Sequence, residues 1–396
     1  MSQDNAIVVG GGPTGLLTAL GLARAGVDVT LLEAEAGIVA SPRAMVYHAA
    51  VLPGMQALGM LADAEAIGCR GVALQMRVHA TGERIEFDMR NIDGTGRGYN
   101  LHLGQDKLAE VALAHLLRHP NARVLNSTRV VGLAQDADGV TLTAETRAGP
   151  STLRAGWVVG ADGARSGVRE ALGLTLEGTT WPERFVATNV RCRFDDLGYA
   201  DATMQIDPRY GAIVARIDDT GLWRCTYSED AALPEEGVLD RMKAWYAGML
   251  PAGAPTWELV QHSPYRMHQR AVEHMRVGRV LLAGDAAHVT NPTGGLGLTS
   301  GLFDLYVLAP ALAAVIRRDA DDSVLDVWAA ERLAAFKERA SPAASEFKRL
   351  VYSSTEPERL EGALQGLRHL AKDVPAQRQA FGVASSLETP SVLGRA

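Results

Sequence analysis

Cysteine is scarce in this chain. Cys69, Cys192 and Cys225 are the only three in 396 residues, and they stand far apart. An odd, scattered set with no CxxC pair and no zinc-ligand spacing excludes a disulfide framework and fits reduced thiols in a cytosol. Blocks of lysine or arginine are lacking and the net charge is −7, which argues against a nucleic-acid surface. Long apolar runs are lacking too. The longest covers residues 305–316, where a membrane span needs roughly 18 or more. It reads as a buried helix, with Pro310 predicting a kink or an early break. The opening Met-Ser-Gln-Asp-Asn has no basic leader, so no signal peptide is expected. HExxH, a Ser-His-Asp order with a nucleophile elbow, internal repeats and low-complexity tracts are also absent.

What is present is apolar and glycine-punctuated. Hydrophobic residues make up 47% of the chain, enough for one large core or two domains sharing an interface. Ala6-Ile7-Val8-Val9 reads as a buried parallel strand running into Gly10-Gly11-Gly12-Pro13-Thr14-Gly15. A helix follows over residues 16–25, then a strand over 27–32 closed by Glu33. Gly10, Gly12 and Gly15 satisfy GxGxxG: one glycine for the tight turn, one for close approach of a pyrophosphate, one for helix–strand packing. The helix start, with Pro13, offers free N–H groups to phosphates. Glu33 can accept from ribose hydroxyls. NAD and FAD satisfy this motif equally.

Later motifs separate the two. Val280-Leu281-Leu282-Ala283 leads into Gly284-Asp285-Ala286-Ala287-His288, then Pro292-Thr293-Gly294-Gly295-Leu296-Gly297. Asp285, just after an apolar strand, can hold a ribityl hydroxyl. Gly295, Leu296, Gly297 and Leu298 open a helix close to a flat ring, where the dipole favours negative charge on a reduced flavin. A capped helix after a strand is the bland alternative. Taken with the first motif, and with Gly160-Ala161-Asp162-Gly163-Ala164-Arg165-Ser166 between them, the pattern points to FAD and to an enzyme that uses it.

Those three motifs resemble the FAD-dependent aromatic hydroxylases of the para-hydroxybenzoate hydroxylase type, the single-component flavoprotein monooxygenases, over roughly the chain to residue 350. The resemblance implies that Asp162 and Arg165 contact the pyrophosphate region and help position NAD(P)H. It implies that Arg43, in Ser41-Pro42-Arg43-Ala44, reaches the cofactor, that Gln105 meets the flavin side chain and that Val130 gives a backbone contact to adenine. Pro292 would line the reaction site, with Thr293 beside it. Ala34, Leu296 and Asp304-Leu305-Tyr306-Val307-Leu308 depart from the family pattern. The chain is also expected to stop short of the thioredoxin-like C-terminal domain of larger members.

The fold expected is α/β. A Rossmann-like FAD-binding domain comes from residues 1–70, 97–180 and 268–350. A mostly antiparallel β-sheet substrate domain is inserted as residues 71–96 and 181–267, and residues 351–396 form a C-terminal helical tail, loose from Asp373. The substrate domain begins with a hairpin over 71–88. It continues with strands over 185–193, 203–206, 211–217 and 222–227 and a helix over 239–249. Around them a helix is predicted over 105–119, and strands over 124–146 and 157–159.

The activity implied is hydroxylation of a small phenolic or heteroaromatic ring, using NADH or NADPH and O2 through a flavin hydroperoxide. The protein would exclude water, orient the ring and hold a phenol near its ionised form. No second GxGxxG is evident, so NAD(P)H would bind transiently. His48 and Pro292 are the catalytic candidates. His48, Tyr210, Arg216, Pro292 and Thr293 are the substrate candidates, Tyr210 and Arg216 because even positions share one face of a strand. Tyr47 is read as facing either the substrate or the core, and His288 as a packing or capping residue rather than a base. A cytoplasmic monomer or homodimer is expected. The alternatives are epoxidation, Baeyer–Villiger or decarboxylating oxidation or, least favoured for want of a Trp-x-Trp-x-x-Pro segment, halogenation on the same fold, a flavin-binding redox protein without turnover, and an NAD-dependent dehydrogenase.

Overall fold

The computed structural model describes residues 4–40, 42–92 and 95–394; Ser41 of the arginine motif lies outside them. Asn5–Val9 is buried at the centre of a six-stranded sheet. The strand order is Arg276–Val277, Val280–Leu282, Trp157–Gly160, Asn5–Val9, Asp28–Leu32, Ala122–Leu125. All pairings are parallel except the one at the Arg276–Val277 edge. Short runs of valine, isoleucine and leucine suit strands covered on both faces. Val9 is level with Leu32 and Gly160, and Gly160 with Leu282. Four strand ends therefore lie along one edge, which brings Gly10, Glu33, Asp162 and Asp285 together from across the chain.

The helices Pro13–Arg24, Gln105–Leu116 and Leu296–Ile316 pack on this sheet. The last is apolar nearly all round, with a mean hydropathy of 1.7 over its best window, 89% of which is buried inside the protein. It runs unbroken through Pro310, so the early break expected there does not occur. An interior proline costs about 3 kcal/mol. The buried side chains of Leu305, Leu308, Leu312 and Ile316 contribute about 1.5–3 kcal/mol each and outweigh it.

The strands over residues 122–146 take the expected places. Among the strands not foreseen is Gly149–Ala155, the edge of a three-stranded antiparallel sheet. It is polar and opens with Pro150 one residue in, tolerable only at an edge.

An eight-stranded sheet forms the second layer, built from the hairpin Ala73–Val78/Arg84–Asp88 and from strands between Glu177 and Val289. Alternation divides its residues. Val214, Trp223, Cys225 and Tyr227 pack under the helix Val238–Met249. Met204, Ile213, Ala215, Arg224 and Thr226 face the first layer across a cavity. The tail after Asp373 is not loose. It forms the helices Val374–Ala380 and Val383–Ser386, with the Ala376 N–H donating to the Asp373 carboxylate at 3.0 Å.

Candidate active site

One cavity of about 1550 Å³ lies between the layers and is lined by all three motifs. It runs from Gly10, Gly12 and Pro13 past Glu33, Arg43, Gln105, Val130, Asp162 and Arg165 to Asp285, Pro292 and residues 295–298. The first helix starts at Pro13 behind Gly12, with no side chain capping it. That leaves its first N–H groups free for an anion. A Cβ on Gly12 would meet nothing within 4 Å, whereas one on Gly10 would stand 2.3 Å from the Ala161 carbonyl oxygen. The first position is a cradle and the second a close backbone crossing. Gly15 does not line the cavity; its Cβ would fall 1.9 Å from the Gly10 carbonyl oxygen, so it serves packing. The Glu33 carboxylate accepts from Gly11 N–H at 2.6 Å and Glu35 N–H at 2.7 Å, pinned across the turn.

Asp162 accepts from the Ser166 hydroxyl at 2.5 Å and Val168 N–H at 3.1 Å. Burial raises its carboxyl above the ordinary range, against those hydrogen bonds. It holds the turn that presents Arg165, which is exposed along the cavity. Asp285 shows its side chain to the cavity alone. The surrounding protein pushes its carboxyl up, with His288 and Arg43 pulling the other way. Beneath it, Asp304 accepts from Gly284 N–H at 3.0 Å, His288 Nε2 at 2.8 Å and Arg332 Nε at 2.9 Å. Burial alone would raise the Asp304 carboxyl, but His288 and Arg332 hold it below its usual range. His288 is fully buried and stacked on Phe336 at 4.3 Å, a packing residue as expected.

At the far end Gly295, with φ of 69°, precedes the long helix, and no side chain caps its first turn. His48 Nε2 lies 2.8 Å from the Gly294 carbonyl. Burial lowers the His48 pKa, so the neutral ring donates there. Pro292 is exposed to the cavity. Thr293 is buried behind it, does not line the cavity, and donates its N–H to Asn291 at 3.1 Å.

Tyr210 and Arg216 are not brought to the cavity. Tyr210 stands in the turn before the strand Ala212–Arg216, so the two do not sit on one strand face as expected. Tyr210 packs beside Trp245, and Arg216 pairs with Asp201 at 2.6 Å and Asp219 at 3.1 Å. Tyr47 is buried away from the cavity lining as well. A buried cation on this sheet that does face the cavity is Arg224, one strand over and opposite Ala215. Its Nε donates to Asn189 at 2.7 Å and its Nη1 to the Arg43 carbonyl. It is 7% exposed and pairs with no carboxylate among the described residues. Burial lowers its pKa to about 10, with Tyr265, Asp106 and Tyr47 opposing. The signal was in Leu222-Trp223-Arg224-Cys225-Thr226: a charge inside an apolar run.

The geometry fits an extended dinucleotide with a ring at the end under Pro292. The FAD binding domain family matches residues 4–341. The chain belongs to that family. It is 44% identical over 389 residues to the 6-hydroxy-3-succinoylpyridine 3-monooxygenase of Pseudomonas putida, covering 98% of this chain and 99% of the relative. It is 43% identical over 350 residues to the para-nitrophenol 4-monooxygenase of a Pseudomonas species, covering 86% of each. The crystal structure of p-nitrophenol 4-monooxygenase from Pseudomonas putida superposes with a TM-score of 0.93 at 39% identity, over 97% of this chain and 98% of that one. The protein is therefore an FAD-dependent aromatic monooxygenase. The dehydrogenase alternative falls, and the resemblance read from the three motifs holds.

Proposed function

We infer that the monooxygenase takes a phenol or hydroxylated heteroaromatic ring and binds it as its anion beside Arg224. The observation that carries this is a nine-tenths buried guanidinium on the cavity face with no carboxylate partner among the described residues. At about 4 Å and an effective dielectric near 20, a cation stabilises an anion by about 4 kcal/mol. That corresponds to about three pKa units, enough to bring a phenol from near 10 to near neutrality before desolvation is counted. Both relatives' names carry a hydroxyl-bearing ring.

FAD supplies hydride uptake from NADH or NADPH and the reaction with O2. The chain's own residues do the rest. The turn Gly10–Thr14, with Glu33, Arg43 and Arg165, would hold the nucleotide half, and Gln105 and Val130 its neighbours. Asp285 would hold the ribityl chain. The N–H groups at Leu296–Leu298 would favour negative charge on the ring edge. Asp162 is a positioning residue for Arg165, and His48 one for the Pro292–Gly294 loop. Leu74, Met76, Met204 and Ile213 exclude water from the substrate end. We further read residues 71–96 and 181–267 as the substrate domain, and the enzyme as a cytoplasmic monomer or homodimer. Three free, buried thiols support the location.

The test is Arg224→Met in the FAD-loaded enzyme. KM for phenols should rise roughly 10-fold or more, the scale for removing one partner of a charged hydrogen bond. The pH at which bound phenol ionises, read from its absorbance, should move up, with Arg224→Lys in between. A flavin-loaded Arg224→Met enzyme with unchanged KM and unchanged phenol ionisation would overturn the reading.

A further inference from the structure

Residues 373–389 form a strap fastened at both ends. At one end the Asp373 carboxylate caps the helix Val374–Ala380, Gln377 Nε2 donates to the Leu370 and Ala371 carbonyls at 3.0 and 3.1 Å, and Arg378 Nε donates to the Asn91 carbonyl at 3.0 Å. At the other end Arg332 Nη1 donates to the Leu387 carbonyl at 2.5 Å and to the Thr389 hydroxyl at 3.4 Å, and Arg339 reaches the Ser386 carbonyl. Leu387 and Val392 are buried in the main core. The stretch between is different. Phe381, Val383, Ala384 and Ser385 line the cavity, and none carries charge.

Phe381 fixes which end of the cavity this is. Its ring meets Phe87 edge-on at 4.7 Å, and it packs in the cluster of Met76, Met89 and Ile92. Those three residues also line the cavity, and Met76 belongs to the sheet whose inner face carries Arg224. A tail that served stability alone would leave none of its large side chains bordering open volume. Here a phenyl ring, held from behind by Phe87, borders open volume.

We propose that the strap is a specificity wall of the active site, and that Phe381 limits the length of the substituent an aromatic substrate carries toward it. This rests on the reading of that end as the ring-binding chamber. Truncating a wall residue adds room for a few methylenes. In an apolar pocket one methylene changes selectivity by roughly 10- to 200-fold.

The experiment uses the FAD-loaded enzyme and a series of 4-alkylphenols from methyl to butyl. Binding is read by flavin difference absorbance, turnover by NAD(P)H consumption and oxygenated product. Phe381→Ala should raise kcat/KM for the longer members relative to the shortest by about 10-fold or more. It should also increase the fraction of reducing equivalents lost as peroxide with the shortest member, which no longer fills the chamber. Phe381→Trp should shift selectivity the opposite way. Phe381→Leu gives a milder shift in the direction of alanine, and serves if alanine fails to fold. Identical length selectivity in wild type, the leucine variant and the tryptophan variant, at full flavin content, overturns the proposal. A different result marks failure of the underlying reading: a wild-type enzyme that binds no member of the series removes the phenol chamber, and the strap's role with it.

Discussion

Two side chains on the cavity, Asp285 and Arg224, carry the proposal for this site. Asp285 offers a carboxylate to the cavity and has no hydrogen bond of its own among the described residues, so it has capacity for a ligand hydroxyl. A hydrogen bond to a charged group contributes about 1.5–3 kcal/mol, which is roughly 10- to 150-fold in affinity. Asp285→Ala should therefore weaken FAD binding by that factor, measured by flavin fluorescence titration of apoprotein. Cofactor content equal to wild type would remove Asp285 from the site. Arg224 offers a cation that forms no ion pair with a carboxylate among the described residues, Asp106 acting on it only at longer range. One is an apolar-strand terminus and could be read from the chain. The other could be noticed as a charge in an apolar run, but Arg216 met the same description and lies on the wrong face. Strand alternation says that 214 and 216 share a side and 213 and 215 the other. Which side is open is settled by the helix Val238–Met249, which covers Val214, Trp223 and Tyr227.

Three elements meet beneath the Gly284–Asp285 turn, and Asp304 is where they join. It links the long helix to the turn through Gly284 N–H and His288. It links them to the helix Val324–Ala335, and so to the strap, through Arg332. Removing one partner of a buried pair costs about 3–5 kcal/mol, because the other charge is left uncompensated. Asp304→Asn should lower the unfolding free energy by about that amount in urea melts. The pH dependence has a definite sign. The folded-state pKa of Asp304 is depressed, so its contribution is fully present above the ordinary carboxylate range and is lost as pH falls through the depressed value. The asparagine variant should lose less stability than wild type across that acid window. Equal acid slopes for the two proteins would show that Asp304 is not the titrating group. The first helix supplies a second element-scale test. Gly15→Ala places a methyl against the Gly10 carbonyl and should displace helix from strand, reducing both stability and FAD uptake, whereas Gly362→Ala, with open space around it and no positive φ, should change both little.

Across the whole molecule, ligand and fold are coupled because the cavity lies between the two sheets rather than within one. FAD at about 100 times its Kd should stabilise the folded chain by about 2.7 kcal/mol. This is visible as a rise in Tm on adding FAD to apoprotein, and it should be much reduced in Asp285→Ala. A Tm indifferent to FAD would mean the cofactor does not bridge the layers.

The pyrophosphate turn, the strand that ends at Asp285 and the helix behind it were legible in the chain because local backbone needs dictate them: a crossing too close for a Cβ, a short apolar run with no room for polar groups, a helix start without a cap. The division into a parallel and a mixed sheet was legible from the change in hydrophobic period near residue 71. The order in the tail, the burial of Thr293 and the facing of Arg224 were not. Each is set by a partner well away in sequence: Arg332 and Arg339 for the strap, Gln269 for the Asn291 that holds Thr293, the helix over one sheet face for Arg224. Sequence alone pointed to the coenzyme, since short-range geometry around phosphates and carboxylates is written in neighbouring residues, and to the class of chemistry through the family resemblance that those motifs carry. Only the tertiary structure decided which side chains face the cavity, because a strand's two faces are equivalent until something packs on one of them.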